Sequence, residues 1–83
     1  MRPVPHDETD GFALLSARER EVLEMTAAGH TNSEIAERLD VTVHAVKFHL
    51  SSIYRKLGVG NRTEAAIAFL RREDPGLNEK GAM

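Results

Sequence analysis

Four side chains of different chemical kinds are spaced so that one face of a helix would present them together. They are His44, Lys47, Phe48 and Ser51, within the run 41–58. A lysine can donate to the O6 and N7 atoms of guanine, a phenylalanine can pack on a thymine methyl group, and a serine can donate or accept. Together these groups could contact base edges in the major groove of DNA.

The run 41–58 has the pattern of a helix with one buried side. Thr42 is suited to begin it, and Gly58 can adopt the left-handed conformation that closes a helix. Phenylalanine is unusual on the outer side of a surface helix, which normally turns charged and small polar groups to water. The pattern therefore predicts one face for a core and one for a partner. The core face carries aliphatic residues at steps of four, three and four, namely Val46, Leu50, Ile53 and Leu57.

Charge is distributed unevenly along the chain. The net charge is −2, but residues 1–40 carry −5, residues 41–63 carry +4 and residues 64–83 carry −1. The central segment contains four basic residues and no acidic one. A positively charged segment in an otherwise acidic chain favours a protein that binds phosphate groups with one surface. The alternative is that these charges cluster by chance on a solvated face.

Two further helices are predicted ahead of this one. The segment S-A-R-E at 16–19 fits a capping box and begins a helix to about Ala28, whose glutamates and arginines are expected to be solvated. T-N-S-E at 31–34 begins a second helix that ends near Leu39. A linker of only two residues, 40–41, then leads to the Thr42 cap, which is the spacing of a helix-turn-helix unit.

A fourth helix is predicted from a Thr63 cap to residue 72, and residues 65–70 are apolar almost all round. One side of this helix must cover the first and third helices. The other side has no layer of polar residues, which predicts self-association through it. The alternative is that alanines are merely tolerated on an exposed helix. The fold is thus expected to be all-α, a compact four-helix bundle. The predicted homodimer interface consists of Ala65, Ala68, Phe69 and Arg72.

The two ends of the chain lack periodicity. Residues 1–11 are expected to be a disordered leader or linker, residues 12–72 a single domain, and residues 73–83 a disordered tail. No apolar run reaches the length of a membrane span, and the N-terminus has no signal-peptide core. We therefore expect a cytoplasmic protein that is associated with the nucleoid when bound to DNA.

The sequence offers no catalytic or metal-binding set. The absence of cysteine excludes disulfides and thiolate chemistry. His44 and His49 are five residues apart, so on a helix they diverge by about 140° and cannot share a metal. Ser51 and Ser52 have no credible base partner. We expect no enzymatic activity, no cofactor and no small-molecule ligand within this chain.

Four segments occur in an order and spacing that match a known family. They are L-S-A-R-E-R-E-V-L at 15–23, N-S-E-I-A-E-R-L at 32–39, V-K-F-H at 46–49 and I-Y-R-K-L-G-V at 53–59, followed by Arg62. From Leu15 to about Leu70, the chain resembles the LuxR-type (GerE-like) DNA-binding domain of bacterial transcription regulators. The resemblance implies that the second and third helices form the helix-turn-helix unit. It also implies homodimeric binding to inverted repeats near promoters, and RNA polymerase is a further partner that such a regulator could contact.

The same resemblance assigns roles to individual positions. Base contacts would fall at Lys47, Phe48 and Ser51, to which the predicted helical face adds His44. Ala45 stands where the family usually has threonine, so one hydroxyl contact to the DNA backbone is lost. Ser51 is shorter than the donor of some members, which shortens its reach and favours water mediation. Phosphate contacts are expected near Thr31, Asn32, Thr42, Ala45, Arg55, Lys56 and Arg62.

Other classes of function remain open from the sequence. A protein-interaction module with a helix-turn-helix fold, binding another regulator or a polymerase subunit without DNA, would also explain Phe48 and the acidic first half. A sigma-factor-like promoter-recognition domain is a nearer relative, but the segments match the LuxR type. Members of that family usually carry a receiver or ligand-sensing domain ahead of this one, and none fits within residues 1–15. The chain is then either a small standalone regulator or part of a larger one.

Overall fold

Helices make up most of the domain. The computed structural model describes residues 11–73, so most of the predicted leader and tail lie outside the described residues. A short 3-10 helix at Gly11–Leu14 precedes α1 (Ala17–Ala27), α2 (Asn32–Leu39), α3 (Val43–Leu57) and α4 (Arg62–Glu73). Residues 11–73 contain no strand. The predicted all-α fold, with α2 and α3 as consecutive helices of a helix-turn-helix unit, is confirmed.

Helical structure extends one residue beyond the predicted domain, residues 12–72, at each end. Gly11, which was assigned to the leader, is buried in the 3-10 helix. A methyl group on its Cα would overlap the backbone carbonyl oxygen of Lys56, so a larger residue would have to displace α3. At the other end, α4 continues to Glu73, the first residue of the predicted tail.

Side chains cap the first three helices as their sequences predict. In α1, the Ser16 hydroxyl accepts from the Glu19 amide at 3.1 Å, and the Glu19 carboxylate accepts from the Ser16 amide at 2.8 Å. Thr31 and Glu34 make the equivalent pair in α2, at 3.1 and 2.9 Å. Thr42 caps α3 by accepting from an amide three residues ahead at 2.9 Å. These bonds satisfy amides that helix geometry leaves without partners.

The predicted cap of α4 is wrong. Asn61, and not Thr63, accepts from the Glu64 amide, at 2.9 Å. The helix therefore begins at Arg62, and Thr63 lies inside its first turn. Asparagine and threonine are both good caps, so residue type alone could not separate the two positions.

The turn between α2 and α3 contains a backbone conformation that L-residues seldom adopt. Asp40 ends α2 with φ 58° and ψ 47°, in the left-handed region. The amide of the next residue, Val41, donates to the carbonyl of Ala36 at 2.9 Å, which closes the end of α2. The reversal brings Thr42 into position to start α3 within two residues.

The core lies where the four helices meet. α1 packs against α3 and α4, while α2 packs mainly against α3. The aliphatic side of α3 is buried as predicted, and Leu57 at its end packs against the core while remaining partly exposed. The largest fully buried side chains come from α1, α2 and α3, namely Val22, Leu23, Ile35, Val46 and Ile53.

The outer side of α4 differs from the predicted dimer interface. Ala65 is fully buried and belongs to the core, because α4 turns this face towards the other helices. Ala68 and Phe69 are partly buried and pack against the same core. The exposed large apolar residues of α4 are instead Ile67 and Leu70, each 44% exposed.

The fourth predicted interface residue, Arg72, has a contact within its own chain. Its guanidinium carbon lies 5.0 Å above the centre of the Phe12 ring. A cation over an aromatic face is attracted electrostatically. Arg72 thus helps to hold the end of α4 against the 3-10 helix. Among residues 11–73, no helix is long and apolar enough to cross a membrane.

Candidate nucleic-acid interface

The four predicted base-contacting side chains are all exposed on α3. His44, Lys47, Phe48 and Ser51 lie on the side of the helix opposite the core. Phe48 is 68% exposed, and its ring meets the ring of His49 edge to face with centroids 6.2 Å apart. This face therefore offers a cation, an aromatic ring and a hydroxyl group to a partner.

The opposite side of α3 fixes this face in place. Val46 and Ile53 are fully buried, and Leu50 is nearly so. A helix held along its length by close-packed side chains cannot roll without opening voids in the core. The outer residues are consequently presented on a rigid support, as a base-reading site requires.

The N-terminus of α3 carries an uncompensated positive end. The Thr42 hydroxyl accepts a hydrogen bond from the amide of Ala45. The amides of Val43 and His44 come before the first hydrogen bond within the helix, which the Val46 amide donates. No acidic residue lies in the first turn of α3. Such an end attracts an anion through its amides and the helix dipole. The other three α-helices each have an acid in the first turn, namely Glu19, Glu34 and Glu64.

Arg62 joins the start of α4 to the start of α2. Its guanidinium donates to the Asn32 side-chain oxygen at 2.7 Å and also to the backbone carbonyl of His30. Two predicted phosphate contacts, Arg62 and Asn32, are thus brought together. Thr31 beside them is exposed. The hydrogen bond that its backbone amide donates to the Glu34 carboxylate is the main cause that lowers the pKa of that carboxyl, and His30 contributes.

The Lys56 ammonium is paired with an acid of α1. Its Nζ donates to Oε1 of Glu19 at 2.9 Å, and the Ser52 hydroxyl donates to Oε2 at 2.7 Å. Glu19 is buried, so the prediction that the glutamates of the first helix are all solvated is wrong for this residue. Burial alone would raise the pKa of Glu19, but the bonds from Lys56, the Ser16 amide and Ser52, with the charge of Lys56, lower it to about 2.

The sequence pattern places neither Glu19 nor Ser52 beside Lys56. The capping pattern did predict that Glu19 bonds the Ser16 amide, and that bond occurs. Its second role depends on α3 lying alongside, 33 and 37 positions further along the chain at Ser52 and Lys56. The sequence signal that could have indicated this contact was a polar serine next to the core positions of α3.

The remaining predicted phosphate contacts lie on α3 or at the residue that caps it. Thr42 and Arg55 are exposed, while Ala45 is half-buried. The phosphate set thus forms two groups, one along α3 and one where α2 and α4 begin. Within residues 11–73, no three histidine, cysteine or acidic side chains are grouped to hold a metal ion.

The family model described as bacterial regulatory proteins of the LuxR family (GerE) matches residues 13–69. The chain belongs to this family. The match includes α1, α2, α3 and most of α4, and it confirms the resemblance drawn from the four sequence segments. The domain is therefore a LuxR-family helix-turn-helix DNA-binding domain of a transcriptional regulator.

Curated relatives of this LuxR-type domain are transcriptional regulators of several bacteria. The chain is 47% identical over 66 residues to the putative HTH-type transcriptional regulator YhjB of Escherichia coli K12, covering 80% of this chain and 33% of the relative. It is 40% identical over 65 residues to the nitrate/nitrite response regulator protein NarP of the same organism, covering 78% and 30%. The chain thus spans a third or less of the length of these relatives.

A solved structure supports the same fold. The domain is similar to the DNA-binding domain of the response regulator ComA, in a crystal structure of the anti-activator RapF complexed with that domain. The TM-score is 0.63 and the sequences are 41% identical, with 65% of this chain and 93% of the other covered.

Proposed function

We propose that this domain reads the major groove of DNA with the outer face of α3 and regulates transcription as a homodimer on an inverted repeat. The observation that carries the proposal is the exposure of Lys47, Phe48 and Ser51 on a helix whose other side is buried. A helix of this size fits the major groove, where each base pair offers a distinct pattern of donors, acceptors and methyl groups. Lys47 donates to guanine, Phe48 packs on a thymine methyl group, and Ser51 and His44 complete the contact.

Phosphate contacts set the position of α3 in the groove. The amides that begin α3 bind one phosphate beside Thr42 and Ala45, and Arg55 and Lys56 bind others towards its C-terminal end. Thr31, Asn32 and Arg62 form a second anchor. Such contacts give affinity that weakens with salt but carry no sequence information.

Dimerisation through α4 places two copies of α3 on two half-sites. Ile67 and Leu70 are the exposed apolar residues of this helix, and their burial against a second copy would remove apolar surface from water. This surface is bordered by the partly buried Ala68 and Phe69, and by Arg72 near the C-terminal end of the helix. A two-fold dimer requires a two-fold DNA site, which is the reason to expect an inverted repeat. A cytoplasmic location, at the nucleoid when DNA is bound, and contact with RNA polymerase accompany this function.

Phe48 also favours a second candidate function, a module that binds another protein without DNA. An exposed aromatic ring is a common anchor of protein interfaces. The crystal structure with RapF concerns the ComA domain, and it makes a protein partner a reasonable second proposal for this chain. Retention on random duplex DNA at low salt separates the two, because a module that binds protein alone should not be retained.

Selection of bound duplexes from a random pool tests the main proposal. We expect enrichment of two inverted copies of one short motif, and weaker binding to all duplexes alike when salt is raised. Enrichment of a single copy would contradict the dimer while supporting base readout. Binding without enrichment would contradict readout by α3, and the absence of binding at low salt would favour the protein-interaction module.

A further inference from the structure

The Glu19 carboxylate connects the start of α1 to the flank of α3. It accepts hydrogen bonds from the Ser16 amide at 2.8 Å, from Ser52 at 2.7 Å and from Lys56 at 2.9 Å. The Glu19 side chain is only 8% exposed, whereas that of Lys56 is 31% exposed. The acid is thus held inside the domain, while the lysine side chain that it binds is partly exposed.

This arrangement limits where the Lys56 ammonium can lie. Ser52 and Lys56 are four residues apart, so they occupy the same flank of α3, one turn from each other. Both donate to the same buried carboxylate, which is itself fixed by the Ser16 amide. An ammonium group has three N–H donors, of which Glu19 takes one. The other two can bind a phosphate oxygen without breaking the ion pair.

We infer that Glu19 is a positioning residue for DNA binding that acts through Lys56, although its own carboxylate is buried. This inference rests on the proposed function, because it concerns the phosphate contact made by Lys56. A free lysine side chain loses conformational freedom when a phosphate fixes it, and that loss opposes binding. Glu19 holds the side chain in one arrangement before DNA arrives, so less freedom is lost on binding.

A double-mutant cycle on DNA affinity tests the inference. Glu19→Gln keeps the volume of the side chain but removes the charge that holds Lys56, and Lys56→Met removes the ammonium. We expect Glu19→Gln to weaken binding by about two- to tenfold when Lys56 is present. In the Lys56→Met background, Glu19→Gln should have no further effect.

The measurements use a selected duplex at temperatures where circular dichroism shows every variant folded. Glu24→Gln, an exposed residue of the same helix, is the matched control for removing one negative charge. If Glu19→Gln does not fold, Glu19→Met, of similar volume and without charge, takes its place in the cycle.

An equal loss of affinity from Glu19→Gln in both backgrounds would overturn the inference, since it would show that Glu19 acts on the whole domain. Unchanged or tighter binding in the Lys56 background, after correction by the Glu24→Gln control, would overturn it as well. The wild-type protein distinguishes this failure from failure of the proposed function. If it binds no duplex, the function is wrong; if it binds and the cycle shows no coupling, only the role of Glu19 is wrong.

Discussion

Lys56 of α3 donates to the buried carboxylate of Glu19 in α1 at 2.9 Å. The pair joins α1 to the helix proposed to enter the groove. The Ser52 hydroxyl donates to the same carboxylate. A charge that is buried with several hydrogen bonds is costly to leave unpaired, so we expect this contact to influence both stability and its dependence on pH.

Stability should fall in acid because of Glu19. Its pKa is lowered from an ordinary 4.5 to about 2 in the folded domain. The carboxylate therefore stabilises the fold above pH 4.5, and this contribution is lost as pH falls from about 4.5 through 2. A shift of this size corresponds to at most about 3 kcal/mol. Urea denaturation at a series of pH values measures it.

Two variants distinguish the contribution of Glu19 to the loss of stability in acid from the contributions of the other acidic residues. Glu19→Gln should be less stable than wild type at pH 7 and should show a weaker decline in acid. Glu37→Gln, an exposed residue of α2, should keep the wild-type profile. An acid decline that is the same in all three proteins would show that Glu19 is not its cause.

Thr26→Val should stabilise the domain. The Thr26 side chain is buried in α1, and its hydroxyl oxygen has no hydrogen-bond partner among residues 11–73. Valine has nearly the same shape and buries no polar atom, so we expect a gain of about 1 kcal/mol in the free energy of unfolding. Thermal denaturation followed by circular dichroism measures the change. A loss of stability would mean that the hydroxyl is bonded in solution.

Asp40→Gly should also stabilise the domain, for a reason of backbone geometry. Asp40 has φ 58°, which glycine adopts without the steric cost that a Cβ atom imposes. The substitution removes a negative charge from the negative end of α2 as well. We expect a gain of about 0.5–1 kcal/mol by urea denaturation, reduced by the greater freedom of glycine in the unfolded chain. Asp40→Ala, which keeps the Cβ atom, should not reproduce the gain.

Dimerisation on DNA should depend on Ile67. A glutamate there would place a charge on the exposed apolar side of α4 while leaving the core intact. We expect Ile67→Glu to bind a selected duplex as a monomer with reduced affinity, measured by the stoichiometry of complexes in analytical ultracentrifugation. Leu14→Glu, at a residue 65% exposed on the 3-10 helix, is the matched control. A dimeric complex of Ile67→Glu would exclude this side of α4 as the interface.

Phe69 is a less suitable position than Ile67 for a charged substitution that tests dimerisation. It packs partly against the core, so a charge there would destabilise the fold together with any interface. The sequence indicated an apolar helix but could not say which side faced inward, because residues 65–70 are apolar almost all round. Ala65 was assigned to the interface for the same reason, and the packing of α4 places it in the core.

The sequence was most informative where the signal is local. The caps Ser16, Thr31 and Thr42 act on amides three residues ahead, and the two-sided pattern of α3 lies within one helix. Individual side-chain contacts between distant segments could not be predicted. Arg62 was assigned to phosphate without any sign that it also bonds Asn32, because that contact depends on how α4 returns to α2.

Base reading by α3 can be measured as the affinity of the Lys47→Ala variant for selected and scrambled duplexes. Arg18→Ala, which removes a positive charge from an exposed site on α1, is the control. We predict that Lys47→Ala loses about 1–3 kcal/mol on the selected duplex, with relaxed preference at one base pair and a much smaller loss on the scrambled duplex. Equal losses on both duplexes, or full affinity with an unchanged preference, would contradict base reading by Lys47.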